Sequence, residues 1–310
     1  MTNALHSKIT CSDGHHMPLY CYMPQEGDIK AILHIAHGMA EYGQRYQPIA
    51  EILCGHGFVV SVHDQRGHGN AVASNEELGL TPPQWFEQQV EDMQLVVQKY
   101  RKLFPGIPLF ILGHSMGSFL AQRYFQLYGN HINGLILSAS NGKEDPLMGF
   151  GIGIANLQRK LFGEKYRSKL IDQLSFGQFN KKFKPNRSKA DWLSRNNAEV
   201  DKYVADEKCG FVCSASFYYY FFKGIRKTFK KENIAHIPRD IPVYIFSGDK
   251  DPVGLEGKGI KALVQKWKTA GVKNLTYILY PGGRHEMLNE TNRAEVIKNL
   301  LTFLDRSISG

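Results

Sequence analysis

A serine, a carboxylate and a histidine occupy positions in this sequence that suit nucleophilic chemistry. Ser115 is the centre of the run Gly-His-Ser-Met-Gly, Asp251 follows an apolar run that ends at residue 248, and His285 follows the last apolar run before the C-terminal segment. A serine hydroxyl needs a nearby base to attack a carbonyl carbon. Histidine is the usual base near neutral pH, and a carboxylate fixes its tautomer. The chain order serine, acid, histidine therefore predicts acyl transfer through Ser115.

The predicted nucleophile lies between a strand and a helix. Residues 109–112 form an unbroken apolar run typical of a buried parallel strand, and apolar residues recur at helical spacing from Ser118 onward. Glycines at 113 and 117 leave room for a sharp turn, and the first turn of the helix offers free N–H groups to a developing oxyanion. The pattern predicts a nucleophile elbow at Ser115. The motif alone also fits a glycine-rich turn without a catalytic role.

Other residues compete for the roles of acid and base. Asp249 stands in the same predicted loop as Asp251, and we favour Asp251 because it lies one turn deeper in that loop. Among the 12 histidines, we expect His114 to point away from the serine. His37 and His68 lie in predicted loops, where we expect them to shape the site.

A tetrahedral oxyanion needs backbone donors beside the serine. We predict two: the amide of Met116, which follows the nucleophile, and an amide of the loop after strand 31–36, for which we choose Met39. Two methionines there would give the site an apolar rim. Glu286 stands beside His285, and we expect it to be solvated or to support the site, not to act as its acid.

The elements that position these residues follow from hydrophobic periodicity. Apolar runs alternate with segments of helical periodicity, and glycine or proline separates many of them. Strands are predicted at 31–36, 58–63, 109–112, 132–138, 242–248 and 275–280 after a hairpin of 8–11 and 17–23, and helices at 46–54, 83–104, 255–270 and 292–304. Short connections favour parallel strands, whose carboxyl ends carry the functional groups. The predicted fold is an α/β sheet interrupted once.

The interruption lies between Lys143 and Asp240. This segment contains 20 lysines and arginines against 11 acidic residues, whereas the rest of the chain balances at 18 against 18. The net charge of +9 therefore belongs to this segment. We predict core residues 1–142 and 241–310 with a helical insertion at 143–240.

The insertion carries an aromatic run at 217–222. We predict that the aromatic run, with Phe217, Tyr218 and Phe221, binds the acyl part of a substrate or docks on a lipid surface, and that the surrounding lysines and arginines attract anionic head groups. The alternative is that the aromatic rings form the insertion's own core and the charges a solvated face. Nucleic-acid binding is another interpretation of a basic chain, but no recognition motif accompanies the charge.

Composition places the chain among ordinary globular proteins. It has 310 residues, of which 43% are hydrophobic and 22% charged, and no apolar run reaches the roughly 18 residues that a membrane helix needs. The first residues lack the cationic and apolar regions of a secretory signal, and the five cysteines form no Cys-x-x-Cys pair. We expect a soluble cytoplasmic protein with reduced thiols and without a metal site.

Five motifs resemble those of a known family. HGMAEYGQRY, DQRGHG, GHSMG, SGDKDPV and PGGRHEMLNE resemble the motif set of the monoacylglycerol lipase and lysophospholipase branch of the serine α/β-hydrolases, and RHEMLNE is similar to its bacterial lysophospholipase-like members. The resemblance covers residues 30–140 and 240–305. It implies an eight-stranded sheet with helices on both faces, a helical cap over the site, no cofactor, and a triad of Ser115, Asp251 and His285.

The activity that this resemblance implies is hydrolysis of a lipid monoester, a lysophospholipid or a monoacylglycerol, through an acyl-enzyme. The alternatives are a small-molecule carboxylesterase or serine aminopeptidase-like hydrolase with the same triad and, in a third class, a binding protein without catalysis. Met39, Tyr42 and Ala71 depart from the family pattern, so chain-length preference is not carried over. Expected partners are a lipid or small ester and, through the basic insertion, an anionic membrane, which would place a cytoplasmic protein against the inner membrane face.

Overall fold

Eight strands form one sheet at the centre of the molecule. The structure is a computed structural model that describes residues 4–143 and 147–309. Its strands are β1 Ala4–Thr10, β2 His16–Tyr22, β3 Ala31–Ala36, β4 Phe58–His63, β5 Leu109–His114, β6 Gly134–Ser138, β7 Val243–Gly248 and β8 Leu275–Tyr280. Their order is β1-β2-β4-β3-β5-β6-β7-β8; β2 is antiparallel to β1 and β4, and the other neighbours are parallel. This confirms the predicted mostly parallel, eight-stranded sheet.

Helices cover both faces of the sheet. They are α1 Gln47–Cys54, α2 Trp85–Leu103, α3 Met116–Tyr128, α4 Met148–Phe162, α5 Lys169–Phe179, α6 Asn197–Ala205, α7 Ala215–Thr228, α8 Lys231–Ile234, α9 Lys258–Thr269 and α10 Arg293–Ser309. Side chains of β5 alternate between two apolar layers: α2, α3 and α9 contribute to one layer, and α1 and α10 contribute to the other. Because both faces are covered, β3 to β7 are buried along their whole length, which explains their continuous apolar runs.

The predicted helices begin one to three residues later than expected, and the largest difference has a visible cause. The helix predicted from residue 255 begins at Lys258, because Leu255 and Glu256 have φ of 50° and 53°, outside the right-handed helical region. The helix after the serine begins at Met116, before the first apolar position at helical spacing. Periodicity marks the buried face of a helix, whereas its ends depend on backbone angles that periodicity does not show.

Residues 143–240, which we call the cap segment, lie between β6 and β7. Their described part contributes α4 to α8 and no strand to the sheet. Helix α7 packs on α2: the indole Nε1 of Trp85 donates to the carbonyl oxygen of Phe217 at 3.1 Å, and the two rings stack with centroids 4.4 Å apart. Across the described residues, no helix combines the length and the apolar character needed to cross a bilayer.

Candidate active site

Ser115 lies after β5, in a sharp turn before α3. Its φ of 52° and ψ of −117° are unusual for a residue with a side chain. The Ser115 amide donates to the carbonyl oxygen of Ser138 at 3.0 Å, and its own carbonyl oxygen accepts from the Ser118 amide at 2.9 Å. Such backbone strain persists where surrounding bonds over-determine it, and it clusters at functional sites. This is the sharp strand-to-helix turn that the sequence predicts at Ser115.

The two glycines of the elbow are required by close packing. A Cβ atom at Gly113 would overlap the carbonyl oxygen of Gly117, and one at Gly117 would overlap the carbonyl oxygen of Ala36. The N-terminus of α3 can therefore approach β3 and β5 only where both side chains are missing. This close approach brings the free amides of the first helical turn beside the serine.

Asp251 and His285 form a buried pair. The Nδ1 atom of His285 lies 2.8 Å from Oδ1 of Asp251, and both residues are almost inaccessible to solvent. The hydroxyl of Ser247 donates to the other carboxylate oxygen at 2.9 Å, and the Val253 amide donates to Oδ1 at 3.0 Å. Asp249 instead accepts from a backbone amide. Of the two aspartates in this loop, Asp251 is the one that contacts the histidine.

Burial and charge together set the protonation of this pair. Burial alone would raise the pKa of Asp251, but the adjacent His285 and the hydrogen bonds to the carboxylate lower it. Burial alone would lower the pKa of His285, whereas the charge of Asp251 and the bond to it raise this pKa above the ordinary 6.5. The arrangement can keep a negative carboxylate beside an imidazole that readily accepts a proton, as a general base must.

Ser115 and His285 line the same cavity, which has a volume of about 210 Å³. The ring of His285 lies against those of Trp192 and His114, with centroids 4.8 and 4.9 Å away. His114 also lines the cavity, and its Nδ1 lies 3.1 Å from the hydroxyl of Ser138. Within the described residues the Ser115 hydroxyl forms no hydrogen bond to His285. Catalytic hydrogen bonds commonly tighten only when substrate is bound.

The two residues predicted to supply oxyanion donors belong to the loop after β3 and to the first turn of α3. Met116 is the first residue of α3, so its amide precedes the intrahelical hydrogen bonds, and Met39 lines the cavity. The amide of Gly38 donates to Oε1 of Glu41 at 2.5 Å, and Ala40 has a φ of 54°. In the part of the chain that the structure describes, neither methionine amide donates to another protein group.

A buried ion network, missed from the sequence, joins the loop at 38–41 to the loop that carries His285. Arg45 donates to Oε2 of Glu41 at 2.5 Å and to both carboxylate oxygens of Glu286 at 3.0 Å. Glu286 is buried rather than solvated. Burial alone would raise the pKa of both carboxyl groups, and the charge of Arg45 holds both below the ordinary range. The available signal was a glutamate four residues before an arginine in HGMAEYGQRY.

The cap segment supplies most of the apolar wall of the cavity. The larger apolar side chains at the wall are Met39 of the core and Phe176, Trp192, Leu193 and Phe211 of the cap segment, and the charged side chains of Asp172 and Lys189 also line it. Helical periodicity did not reveal these cap residues, because it shows which face is buried and not what that face covers. Within the described chain, no group of three or more histidine, cysteine or acidic side chains is arranged to hold a metal ion.

Phe217, Tyr218 and Phe221 are not among the residues that line this cavity. They are buried on α7: the rings of Phe217 and Phe221 stack on Trp85, and the Tyr218 hydroxyl donates to Asp172 at 3.2 Å. The structure therefore does not bring these three rings to the serine. Phe217 and Phe221 join α7 to α2, and Tyr218 joins α7 to α5, in keeping with the alternative in which the aromatic run packs as a core.

Comparison with known proteins identifies the family of the chain. A family model described as serine aminopeptidase, S33, matches residues 27–292. The chain belongs to this family of hydrolases. The match includes the elbow, the Asp251–His285 pair and the whole cap segment.

Two curated proteins and one solved structure resemble the chain over most of its length. Human monoglyceride lipase is 27% identical over 284 residues, covering 90% of this chain and 82% of that protein. Phospholipase YtpA of Bacillus subtilis is 26% identical over 288 residues, which cover 90% of this chain and 96% of that protein. The structure of a thermostable carboxyl esterase of Bacillus coagulans, solved with glycerol, superposes with a TM-score of 0.89 at 24% identity. The superposition covers 99% of this chain and 100% of that one. The α/β-hydrolase fold and the resemblance to the monoacylglycerol lipase and lysophospholipase branch are confirmed.

Proposed function

We propose that the protein is a serine carboxylic-ester hydrolase that acts on lipid monoesters through an acyl-enzyme. The observation that carries the proposal is the cavity that Ser115 shares with His285, whose ring is bonded to the buried Asp251. Ser115 is the nucleophile, His285 the general base, and Asp251 the carboxylate that orients the imidazole. The amides of Met39 and Met116 bind the oxyanion.

The reaction proceeds in two halves. The imidazole of His285 accepts the hydroxyl proton of Ser115 as the serine oxygen attacks the ester carbonyl carbon, and the oxyanion receives hydrogen bonds from the two amides. The carbonyl then re-forms, the bond to the alcohol oxygen breaks, and His285 protonates that oxygen. Water attacks the acyl-enzyme with His285 again as base, which releases the carboxylic acid and restores the serine hydroxyl.

The proposed substrate is a lysophospholipid or a monoacylglycerol. The relatives support this class, since a monoglyceride lipase and a phospholipase match the chain over most of its length. The apolar wall that includes Trp192 and Phe211 suits an acyl chain. In this proposal residues 143–240 are a cap that shapes the substrate site over core residues 1–142 and 241–310.

A small-molecule carboxylesterase or a serine aminopeptidase-like hydrolase is the second candidate. The family description names a serine aminopeptidase, and the 210 Å³ cavity is small for a long acyl chain. The same Ser115 chemistry would serve either substrate, because the triad does not determine the leaving group.

The decisive experiment compares the wild type with Ser115→Ala. The substrates are p-nitrophenyl esters of rising chain length, a monoacylglycerol, lysophosphatidylcholine and an aminoacyl anilide. We expect turnover of the lipid monoesters by the wild type, essentially no turnover by the folded variant, and labelling of Ser115 alone by a fluorophosphonate. Preferential turnover of the anilide would favour the second candidate. Ester turnover retained by Ser115→Ala would overturn the assignment.

We also propose that the cap docks on an anionic membrane surface. Helix α4 presents Phe150, Leu157 and Leu161 on one face, each more than half exposed. Exposed lysines at 160 and 165 lie close to this face in the chain. An apolar face bordered by cations suits a lipid surface with negative head groups.

In this proposal the enzyme works in the cytoplasm, against the inner membrane face. The five cysteines support a reducing compartment, because all of them are free thiols.

A further inference from the structure

The cap segment holds the backbone next to Met39. The hydroxyl of Tyr203, on α6, donates to the carbonyl oxygen of Ala40 at 3.0 Å, and the amide of Gly210 donates to the same oxygen at 2.9 Å. Both donors belong to the cap segment, whereas Ala40 belongs to the loop after β3. The loop at 38–41 is therefore fixed partly by the cap.

This loop needs fixing because its backbone is strained. Ala40 has a φ of 54°, in the left-handed region that a residue with a Cβ atom occupies at a cost. At the other end of the loop, the Gly38 amide is held by Glu41 at 2.5 Å. Met39 lies between these two fixed points. The Met39 amide shares a peptide plane with the Gly38 carbonyl oxygen, which lies 2.7 Å from Nδ1 of His37. The position of Ala40 acts on that amide through the backbone of Met39.

Tyr203 also contacts the ion network beneath the site. Its ring lies over the guanidinium group of Arg45 at 4.9 Å, and Arg45 bonds Glu41 and Glu286. One cap side chain thus contacts both the strained loop and the network that reaches the neighbour of His285. Burial raises the pKa of Tyr203 far above its usual range, so its hydroxyl remains a donor at working pH.

We propose that Tyr203 is a positioning residue that directs the Met39 amide toward the oxyanion, so that the seated cap completes the catalytic site. This inference rests on the proposed function. Tyr203 also lines the cavity, so direct contact with substrate is the competing explanation. A positioning role acts through Ala40 and therefore lowers kcat for every ester, whatever its alcohol. A substrate contact changes KM and depends on the alcohol.

The test uses Tyr203→Phe, which removes the hydroxyl and keeps the ring over Arg45. Its matched control is Tyr42→Phe, which removes another hydrogen bond between core and cap, from Tyr42 to Asp206 at 2.7 Å. Turnover of p-nitrophenyl butyrate and of a monoacylglycerol is measured per Ser115 titrated with a fluorophosphonate. An unfolded fraction then does not count as lost activity.

We expect Tyr203→Phe to lower kcat about ten-fold for both substrates with KM within about two-fold. Deleting an oxyanion donor lowers kcat by roughly 10²-fold or more. The loss in Tyr203→Phe should be smaller, because the amide of Gly210 still holds the carbonyl oxygen of Ala40. Tyr42→Phe should keep kcat within about two-fold. Tyr203→Leu also removes the ring over Arg45, so its kcat should fall further than that of Tyr203→Phe.

Three results would overturn the Tyr203 proposal alone. The first is a kcat of Tyr203→Phe equal to that of the wild type. The second is a loss of kcat in Tyr203→Phe that is confined to the monoacylglycerol, and the third is a loss of kcat in Tyr42→Phe as large as that in Tyr203→Phe. The second would make Tyr203 a substrate contact, and the third would indicate general loosening of the cap. Wild-type protein without any Ser115-dependent ester turnover would instead overturn the proposed function itself.

Discussion

The Nδ1 atom of His285 lies 2.8 Å from Oδ1 of Asp251, across 34 positions of sequence. The bond joins the loop after β8 to the loop after β7, and these two strands are parallel neighbours in the sheet. Parallel neighbours end at the same edge, so residues that follow them in sequence can meet in space. The pair therefore depends on strand order as much as on residue type.

Replacing Asp251 with asparagine tests the function of this bond. The amide lacks the charge that raises the pKa of His285 and favours the unproductive tautomer, so we expect kcat to fall by about 10⁴. We expect the wild type to gain activity as the pH rises through the pKa of His285, which lies above 6.5. In Asp251→Asn this limb of kcat/KM should move to lower pH.

The matched control for that variant is Asp249→Asn, two residues earlier in the same loop. Asp249 accepts a hydrogen bond from a backbone amide and does not contact the histidine. Ester turnover by Asp249→Asn should therefore stay within about ten-fold of the wild type. Ester hydrolysis followed across pH gives both kcat and the position of the limb. Equal losses in the two variants would contradict the pairing.

Arg45→Met should destabilise the fold. It leaves Glu41 and Glu286 buried without their cation, and breaking a buried pair in this way costs about 3–5 kcal/mol. In the wild type both carboxyl pKa values are lowered, so the network stabilises the fold above the unfolded pKa and loses that effect as the pH falls. In Arg45→Met, burial raises the pKa of both carboxyl groups. The loss in the free energy of unfolding should therefore be larger at pH 8 than at pH 5.

Two controls make the Arg45 result specific. Arg187→Met breaks an exposed pair with Asp201, and it should change the free energy of unfolding by less than about 1 kcal/mol. Adding Glu286→Gln to Arg45→Met should restore part of the stability, because it removes one of the two uncompensated charges. Urea unfolding measures each variant. A pH-independent loss in Arg45→Met would contradict the electrostatic cause.

Buried histidines should make the fold sensitive to acid. Burial lowers the pKa of His34 and His68 to about 3 and that of His114 to about 4, and it also lowers the pKa of His37 and His63. Below pH 6.5 the unfolded chain then binds more protons than the folded chain. For each buried imidazole, the free energy of unfolding should fall by up to about 1.4 kcal/mol for every unit by which the pH decreases below 6.5.

Urea unfolding between neutral pH and about pH 4.5 measures this slope. His285, whose pKa is raised, opposes the effect with a single group. His34→Asn should reduce the slope, whereas replacing His56, which is exposed, should leave it unchanged. Stability that does not vary over this range would contradict the neutral state of the buried rings.

The elbow glycines should tolerate no side chain. Gly117→Ala places a methyl group on the carbonyl oxygen of Ala36, and we expect it to cost at least about 2 kcal/mol or to prevent folding. The control is Gly153→Ala, inside α4, where nothing lies near the added methyl group. That variant should gain up to about 1 kcal/mol from helix propensity. Similar denaturation midpoints for the two variants would contradict the steric explanation.

Membrane binding should depend on the exposed face of α4. Leu157→Gln with Leu161→Gln should weaken sedimentation with vesicles, whereas Leu103→Gln, at the exposed end of α2, should not. Binding should be stronger to phosphatidylcholine vesicles that contain phosphatidylglycerol, and salt should weaken it. Binding that does not vary with anionic lipid content would show that the cationic border has no role.

Local physics explains how much of this fold the sequence alone predicts. A strand buried on both faces must be apolar throughout, so β3 to β7 are visible as apolar runs. The glycines at 113 and 117 are visible because a turn this tight excludes any side chain, and the chain order of Ser115, Asp251 and His285 is read directly. Each of these signals depends on neighbours within a few residues.

The tertiary structure decided which distant side chains meet. Arg45 reaches Glu286 across 241 positions, and Tyr203 reaches Ala40 across 163. The cap residue whose ring lies against His285 is Trp192 and not a member of the aromatic run of α7. Amphipathic spacing shows that a face of α7 is buried, but not that it covers α2 instead of the cavity. The choice of partner depends on how all the elements pack together, and that packing is a property of the whole core rather than of any one segment.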